Sequence, residues 1–295
     1  MGKKISISVG KLMNMVGWER AMEVMAECGF DAVDIDAGTV SPRFEGSHMD
    51  HDVDEEFLYK FREKVNSLGM VIGQTHGHLG RNFWGQDEES KKRFVMTCER
   101  DLRGASILGA GACVIHSISE RPGEEIDPEF LHRANLEGYT SIIEYAEKYN
   151  VKMALESFGR NKREGVQFFA WPQEMIKTFD AIPTNMKTFC MDTGHTHEAV
   201  ELGLCSVEDF IRQMGSRIEY LHIHDNYGYY DDHAIPGYGN IKWPEVFKAL
   251  NEIGFNGYYN FEIGYTKMGS MTEEFLHYLG KYLRKLVEND GDMSK

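Results

Sequence analysis

Short apolar runs alternate with longer amphipathic stretches along the whole chain. Eight runs read as strands: ISISV from Ile5, FDAVDI from Phe30, MVIGQTH from Met70, ACVIHS from Ala112, VKMALE from Val151, MKTFCMD from Met186, IEYLHIH from Ile218 and GYYNFEI from Gly257. Each is followed by a helical pattern. WERAMEVMAECG closes on Gly29 as a C-cap, and DEEFLYKFREKVNSLG closes on Gly69. DPEFLHRANLEGYTSIIEYAEKYN reads as the longest single helix, and MTEEFLHYLGKYLRKLVEND as the last. Strict alternation of strand and helix implies parallel strands joined by crossover helices. Eight such units in 295 residues predict an α/β fold, a (β/α)8 TIM barrel in one domain over residues 1–295. A doubly wound open sheet would normally carry a Gly-rich phosphate loop after its first strand, whereas ISISV runs into VGKLMNMVGW. No linker or low-complexity segment divides the chain, and only the tail 289–295, NDGDMSK, reads as frayed.

Composition changes this picture mainly by exclusion. Apolar content of 42% and charged content of 27% are those of an ordinary globular protein. No run is long enough to span a membrane, and MGKKISISVG lacks the apolar core of a signal peptide. The five cysteines are scattered without a CxxC pair, which fits a reducing cytoplasm. A net charge of −15 argues against a nucleic-acid partner and suits an enzyme acting on a small polar molecule.

The candidate chemistry lies at the strand ends, where barrels of this kind place their active sites. Of twelve His, only His132 and His277 fall within expected helices; the rest lie at strand ends or in the loops just after them. The third strand ends on His76 and the fourth on His116. The fifth ends on Glu156, and the sixth on Asp192 with His195 three residues on. The seventh ends on His222 and His224, the loop after it carries Asp231 and His233, and the eighth ends on Glu262. Glu156, Asp192 and Glu262 each emerge from an otherwise apolar run, where a carboxylate is costly unless paired or bound to a cation. A carboxylate-rich set with one imidazole favours Mn²⁺, Mg²⁺ or Co²⁺, while more His and a bridging carboxylate would favour Zn²⁺.

At these residues the chain resembles the xylose isomerase-like barrel superfamily, over nearly its whole length. ALES resembles the strand-five glutamate of that group, MDTGH its Asp-x-x-His, LHIHD its His-x-x-Asp and DDHAIPGYGNIKWPEV its signature loop. The resemblance implies one divalent ion, Mn²⁺ first, on Glu156, Asp192, His222 and Glu262. It further implies a sugar isomerase or epimerase in which Glu156 and Glu262 remove and return a proton through an enediolate. His195, His76, His116, His233, Arg160 and Trp84 would then contact the sugar. The group also contains endonuclease IV-type enzymes, which hold three Zn²⁺ on nine ligands. Residues of those types stand in order here, with His76, His116, His195, Asp231 and His233 as the additional ligands. A metal-dependent lyase or dehydratase acting on a keto-sugar or oxidised glycoside is a third alternative. The pattern of the ketose 3-epimerases is broken at two places: Lys162 and Gly228 stand where that branch carries Glu and Arg, although Arg160 matches.

Two aromatic segments flank the expected mouth. RNFWG, with Phe83 and Trp84, would stack on a sugar face or pack on a neighbouring subunit, and NYGYY lies between His222 and Asp231. Such a rim also suits a homo-oligomer. Trp243 precedes Pro244 and is expected to be structural. Asp225 is expected to orient a neighbour rather than bind metal.

Overall fold

A computed structural model of the chain describes residues 2–36, 52–77, 88–118, 127–161, 165–166, 168–292 and 294. The eight expected runs all form strands: β1 (Lys4–Ser8), β2 (Ala32–Asp36), β3 (Val71–His76), β4 (Ala112–Ile115), β5 (Lys152–Glu156), β6 (Lys187–Asp192), β7 (Ile218–His222) and β8 (Tyr258–Phe261). They pair in parallel in chain order, and β8 returns to β1 with Lys4 opposite Tyr258. The ring closes between β7 and β8 through a parallel bridge of Ile223 with Phe261, where Ile223 N donates to the Asn260 carbonyl at 2.8 Å. The fold is therefore a single-domain TIM barrel with helices between its strands.

Side-chain parity decides what each face of the barrel holds. Ile5, Ile7, Val33, Ile35, Met153, Leu155, Phe189, Met191, Leu221 and Phe261 join one large core packed under the helices. Each such side chain contributes about 1.5–3 kcal/mol on full burial. Residues of the other parity include Ser6, Asp34, Gln74, Thr188 and Asn260, all buried. Only Ala112, Val114, Ala154 and Cys190, with Tyr220 beside them, form a small apolar plug of their own. The upper interior is thus polar, where branched aliphatic residues usually fill such a barrel.

Two local expectations need correction. The long amphipathic stretch is two helices, Pro128–Ser141 and Ile143–Tyr149, parted at Ile142. Ser141 Oγ donates back to the Gly138 carbonyl at 2.7 Å, a side-chain bond of the kind that bends helices. The segment after β6 is not a loop: Thr193–Val200 is a helix, so His195 and His197 are helical. The helices ending at Glu27 and Ser67 stop as expected, with Gly29 and Gly69 at φ 82° and 79°.

Candidate metal centre

Helix N-terminal chemistry explains the Asp-x-x-His spacing. Asp192 is the last residue of β6 and the N-cap of the helix that follows, and its carboxylate accepts from the His195 backbone N–H at 2.7 Å. That bond turns His195 back toward the strand ends. There its Nδ1–H donates to the Ser157 carbonyl at 3.0 Å. Register does the rest: Asp192 lies opposite His222 on β7, and Glu156 lies opposite Cys190 on β6.

The four expected ligands meet. Glu156, Asp192, His222 and Glu262 each offer one ligand atom, and these atoms lie within 4.8 Å of one another. His222 Nδ1 stands 2.8 Å from Glu156 Oε1, 3.3 Å from Glu262 Oε2 and 3.9 Å from Asp192 Oδ2. Glu156, Asp192 and His222 are fully buried, whereas the Glu262 side chain is 25% exposed. Glu262 also lines a cavity of about 260 Å³ with Ser8, Lys11, Asn14, Asp34 and His76.

A divalent cation fits this donor set. Three carboxylates converge on one imidazole, and among the described residues no Lys or Arg forms an ion pair with any of them. Like charges about 4 Å apart repel by about 4 kcal/mol at an effective dielectric of 20. A hard cation offsets that repulsion, and the O,O,O,N set suits one.

Further imidazoles ring the cluster. His116 Nε2 lies 3.2 Å and His76 Nε2 3.7 Å from Glu156 Oε2, so these three form a second group of ligand types. His224, wholly buried, places Nε2 3.0 Å from Asp192 Oδ1 and 3.6 Å from Asp231 Oδ1. His233 donates from Nδ1 to the Glu262 carbonyl at 2.8 Å and sets Nε2 3.1 Å from Asp231 Oδ2. Its backbone takes φ 46°, an uncommon conformation for a residue other than glycine. His195 Nε2 reaches Asp231 Oδ2 at 3.6 Å. Phe158 packs between His195 (stacked, 5.5 Å) and His116 (edge-on, 5.1 Å), walling one side of the site.

Charge balance polarises these groups. Burial alone would raise the Glu156 carboxyl, but His222 and His116 hold it well below the usual carboxylate range. Burial likewise opposes the charge on Asp192, and His195 and His224 bring its carboxyl below normal. His195 and His222 are pushed well above the ordinary imidazole value, because the neighbouring acids outweigh burial. His233 rises to about 9, with Asp231 and Glu262 overcoming its burial. His116 goes the other way: burial outweighs Glu156, and the ring favours its neutral form.

A family model, xylose isomerase-like TIM barrel, matches residues 22–281. The chain belongs to this family. Among its relatives, an uncharacterized protein of Methanocaldococcus jannaschii, MJ1311, is 27% identical over 274 residues, covering 92% of this chain and 87% of that one. A D-psicose 3-epimerase of Enterocloster bolteae is 23% identical over 247 residues, covering 81% and 74%. Two solved structures share the fold. A D-tagatose 3-epimerase-like protein has a TM-score of 0.75 at 23% identity, covering 99% of each chain. The IOLI protein, solved with a binding zinc atom, has a TM-score of 0.76 at 18% identity, covering 98% of this chain and 99% of that one.

Within this xylose isomerase-like barrel, Trp84 lies outside the described residues, and so does the side chain of Arg160. Trp243 is structural: 1% exposed, it donates from Nε1 to Asp225 Oδ2 at 2.9 Å. Asp225 also accepts from the backbone N–H of Asn226, Gly237 and Ile241, and so ties down the segment that carries Asp231 and His233. Sequence reasoning gave His224 no role and missed Asp34, a carboxylate within the apolar run FDAVDI. The signal that singled out Glu156 was present there too. Among the described residues no helix is long and apolar enough to cross a membrane.

Proposed function

We propose that this chain is a divalent-metal-dependent isomerase or epimerase of a sugar or sugar derivative. The observation that carries the reading is the convergence of Glu156, Asp192, His222 and Glu262 on one point at the mouth of the barrel. These four would hold the ion, with Mn²⁺ the first expectation for three carboxylates and one imidazole. A zinc atom in the similarly folded IOLI protein and the sugar 3-epimerase among the relatives support the same class. When bound, the cation would polarise the sugar carbonyl and its neighbouring hydroxyl and spread the charge of an enediolate.

The chain's own residues supply the proton transfers. Glu262 faces the cavity and can take or return the proton on the carbon beside the carbonyl. Glu156 is the partner acid and base, with Oε2 directed to His116 and His76. His195, anchored through Nδ1 to Ser157, directs Nε2 toward Asp231 at 3.6 Å, from where it can also hold a sugar oxygen. Strand-end placement on a stiff barrel fixes these distances before the substrate arrives.

The test is solvent isotope exchange. Wild type incubated in deuterated water with a panel of ketoses and keto-sugars should place deuterium on the carbon next to the carbonyl. Glu156→Gln and Glu262→Gln should each lower that rate by about 10²–10⁴-fold while sugar binding persists. No exchange on any sugar by metal-loaded wild type would leave a binding protein instead.

A second reading has its own observation. His76 with His116 and Glu156, and His224 with Asp231 and His233, are further groups whose ligand atoms lie within 4.8 Å. They would suit a multinuclear Zn²⁺ centre for phosphodiester cleavage. The charge of −15 opposes a DNA substrate. Metal content per chain separates the two: about one Mn, Co or Mg supports the isomerase, and two or three Zn would favour the hydrolase.

A further inference from the structure

Behind His222, on the side away from the three carboxylates, the barrel holds another buried acid that this reaction does not use. Asp34 on β2 is 2% exposed. Its Oδ2 accepts from Asn260 Nδ2 at 2.9 Å, Ser8 Oγ at 3.0 Å and Gln74 Nε2 at 3.4 Å, and stands 3.5 Å from His222 Nε2. Its Oδ1 has no hydrogen-bond partner among the described residues, and neither have Ser6 Oγ and Asn260 Oδ1. No Lys or Arg among the described residues pairs with it. The neutral donors from β1, β3 and β8 satisfy Oδ2, and His222 Nε2 faces the same oxygen.

An imidazole binds a cation through a deprotonated nitrogen, and the partner of its other nitrogen decides which one that is. His222 Nδ1 faces Glu156, Glu262 and Asp192, while Nε2 faces Asp34. We infer that Asp34 is a positioning residue for the metal centre: it keeps the His222 proton on Nε2, so that Nδ1 presents its lone pair to the cation. The inference rests on the proposed reading of Glu156, Asp192, His222 and Glu262 as ligands. In this structure His222 Nδ1 is hydrogen-bonded to Glu156 Oε1 at 2.8 Å, while the buried Nε2, 3.5 Å from Asp34 Oδ2, has no hydrogen-bond partner among the described residues and is left open to that acceptor. Three strands contribute donors to the one Asp34 oxygen that faces the ring, and this fixes its direction.

Asp34→Asn tests the idea, because it keeps the shape and an acceptor oxygen for the same donors and removes the charge. Mn²⁺ binding, followed by the electron paramagnetic resonance signal of the free ion, should weaken about 10- to 100-fold. The thermal midpoint measured in EDTA should barely move. In ¹⁵N-histidine spectra of Zn²⁺-loaded wild type, the His222 proton should sit on Nε2, and Asp34→Asn should lose that single tautomer. Equal Mn²⁺ affinity in both proteins, or a His222 proton on Nδ1 in the Zn²⁺-loaded wild type, would overturn the inference and leave the metal centre standing. Wild type that takes up neither ion would remove the metal centre and the inference together. Should Asp34→Asn fail to fold, Ser8→Ala removes one of the donors that orient Asp34. It should weaken Mn²⁺ about fivefold, and unchanged affinity there would count against the role of Asp34.

Discussion

Gly194 shows how a single hydrogen atom can decide a site. It lies in the helix Thr193–Val200, where alanine would ordinarily stabilise by about 1 kcal/mol. A Cβ at this position would fall 1.8 Å from His224 Cε1 and 2.3 Å from His224 Nδ1. The clash wins over the propensity, because His224 is wholly buried and held against Asp192. Gly194→Ala should therefore destabilise by about 1–3 kcal/mol in urea unfolding, the reverse of the helix scale. Legibility at this scale was uneven. Glu156, Asp192 and Glu262 could be picked out because a carboxylate within an apolar run needs a reason. Asp34 meets the same criterion, yet nothing in FDAVDI tells which imidazole its side chain will meet.

Among elements, the segment from Asn226 to Ile241 is held in place more by one side chain than by regular structure. Asp225 accepts four hydrogen bonds, from Asn226, Gly237 and Ile241 N–H groups and from Trp243 Nε1. Gly239 packs so closely that a Cβ would lie 2.3 Å from Asp225 Oδ1. Asp225→Ala leaves these buried donors unmatched, and should cost about 3 kcal/mol or more by chemical denaturation. Helix ends behave more independently. Asp127 caps the helix Pro128–Ser141 through Glu129 and Phe130 N–H, and Asp127→Ala should lower stability by only about 1 kcal/mol. Element type was legible wherever hydrophobic periodicity was sustained, which covers all eight strands. It failed on CMDTGHTH, whose polar residues read as a loop. In the structure they start a helix whose polar residues face the site, because Asp192 caps it and burial there is polar rather than apolar.

Across the whole molecule, the four proposed ligands come from the ends of four successive strands, β5 to β8, so ligand binding and barrel stability are linked. A cation held by Glu156, Asp192, His222 and Glu262 ties β5, β6, β7 and the end of β8 together. At about 100 times its dissociation constant, Mn²⁺ should add about 2.7 kcal/mol of stability, seen as a rise in melting temperature that EDTA reverses. Glu262→Gln should shrink that rise, and an unchanged midpoint in wild type would count against the metal centre. Closure of the ring also leans on the last helix, Thr272–Glu288. There Arg284 reaches Asp31 at 2.9 Å and the Lys3 carbonyl at 3.2 Å. These contacts are partly exposed, so Arg284→Ala should cost only about 1 kcal/mol.

What the chain determined by itself was the order and type of its elements, the parity of its strands and the end of the barrel at which its acids and imidazoles would gather. Each of these depends on neighbours a few residues apart, and local periodicity records them. Which of those groups touch was settled only by the tertiary structure. Glu156 and His222 are 66 positions apart, and Asp34 meets Asn260 across 226. The choice of Nδ1 toward the carboxylates and Nε2 toward Asp34 comes from strand register and ring closure. Those are properties of the closed barrel, set by hydrogen-bonded pairing between segments that no local pattern relates.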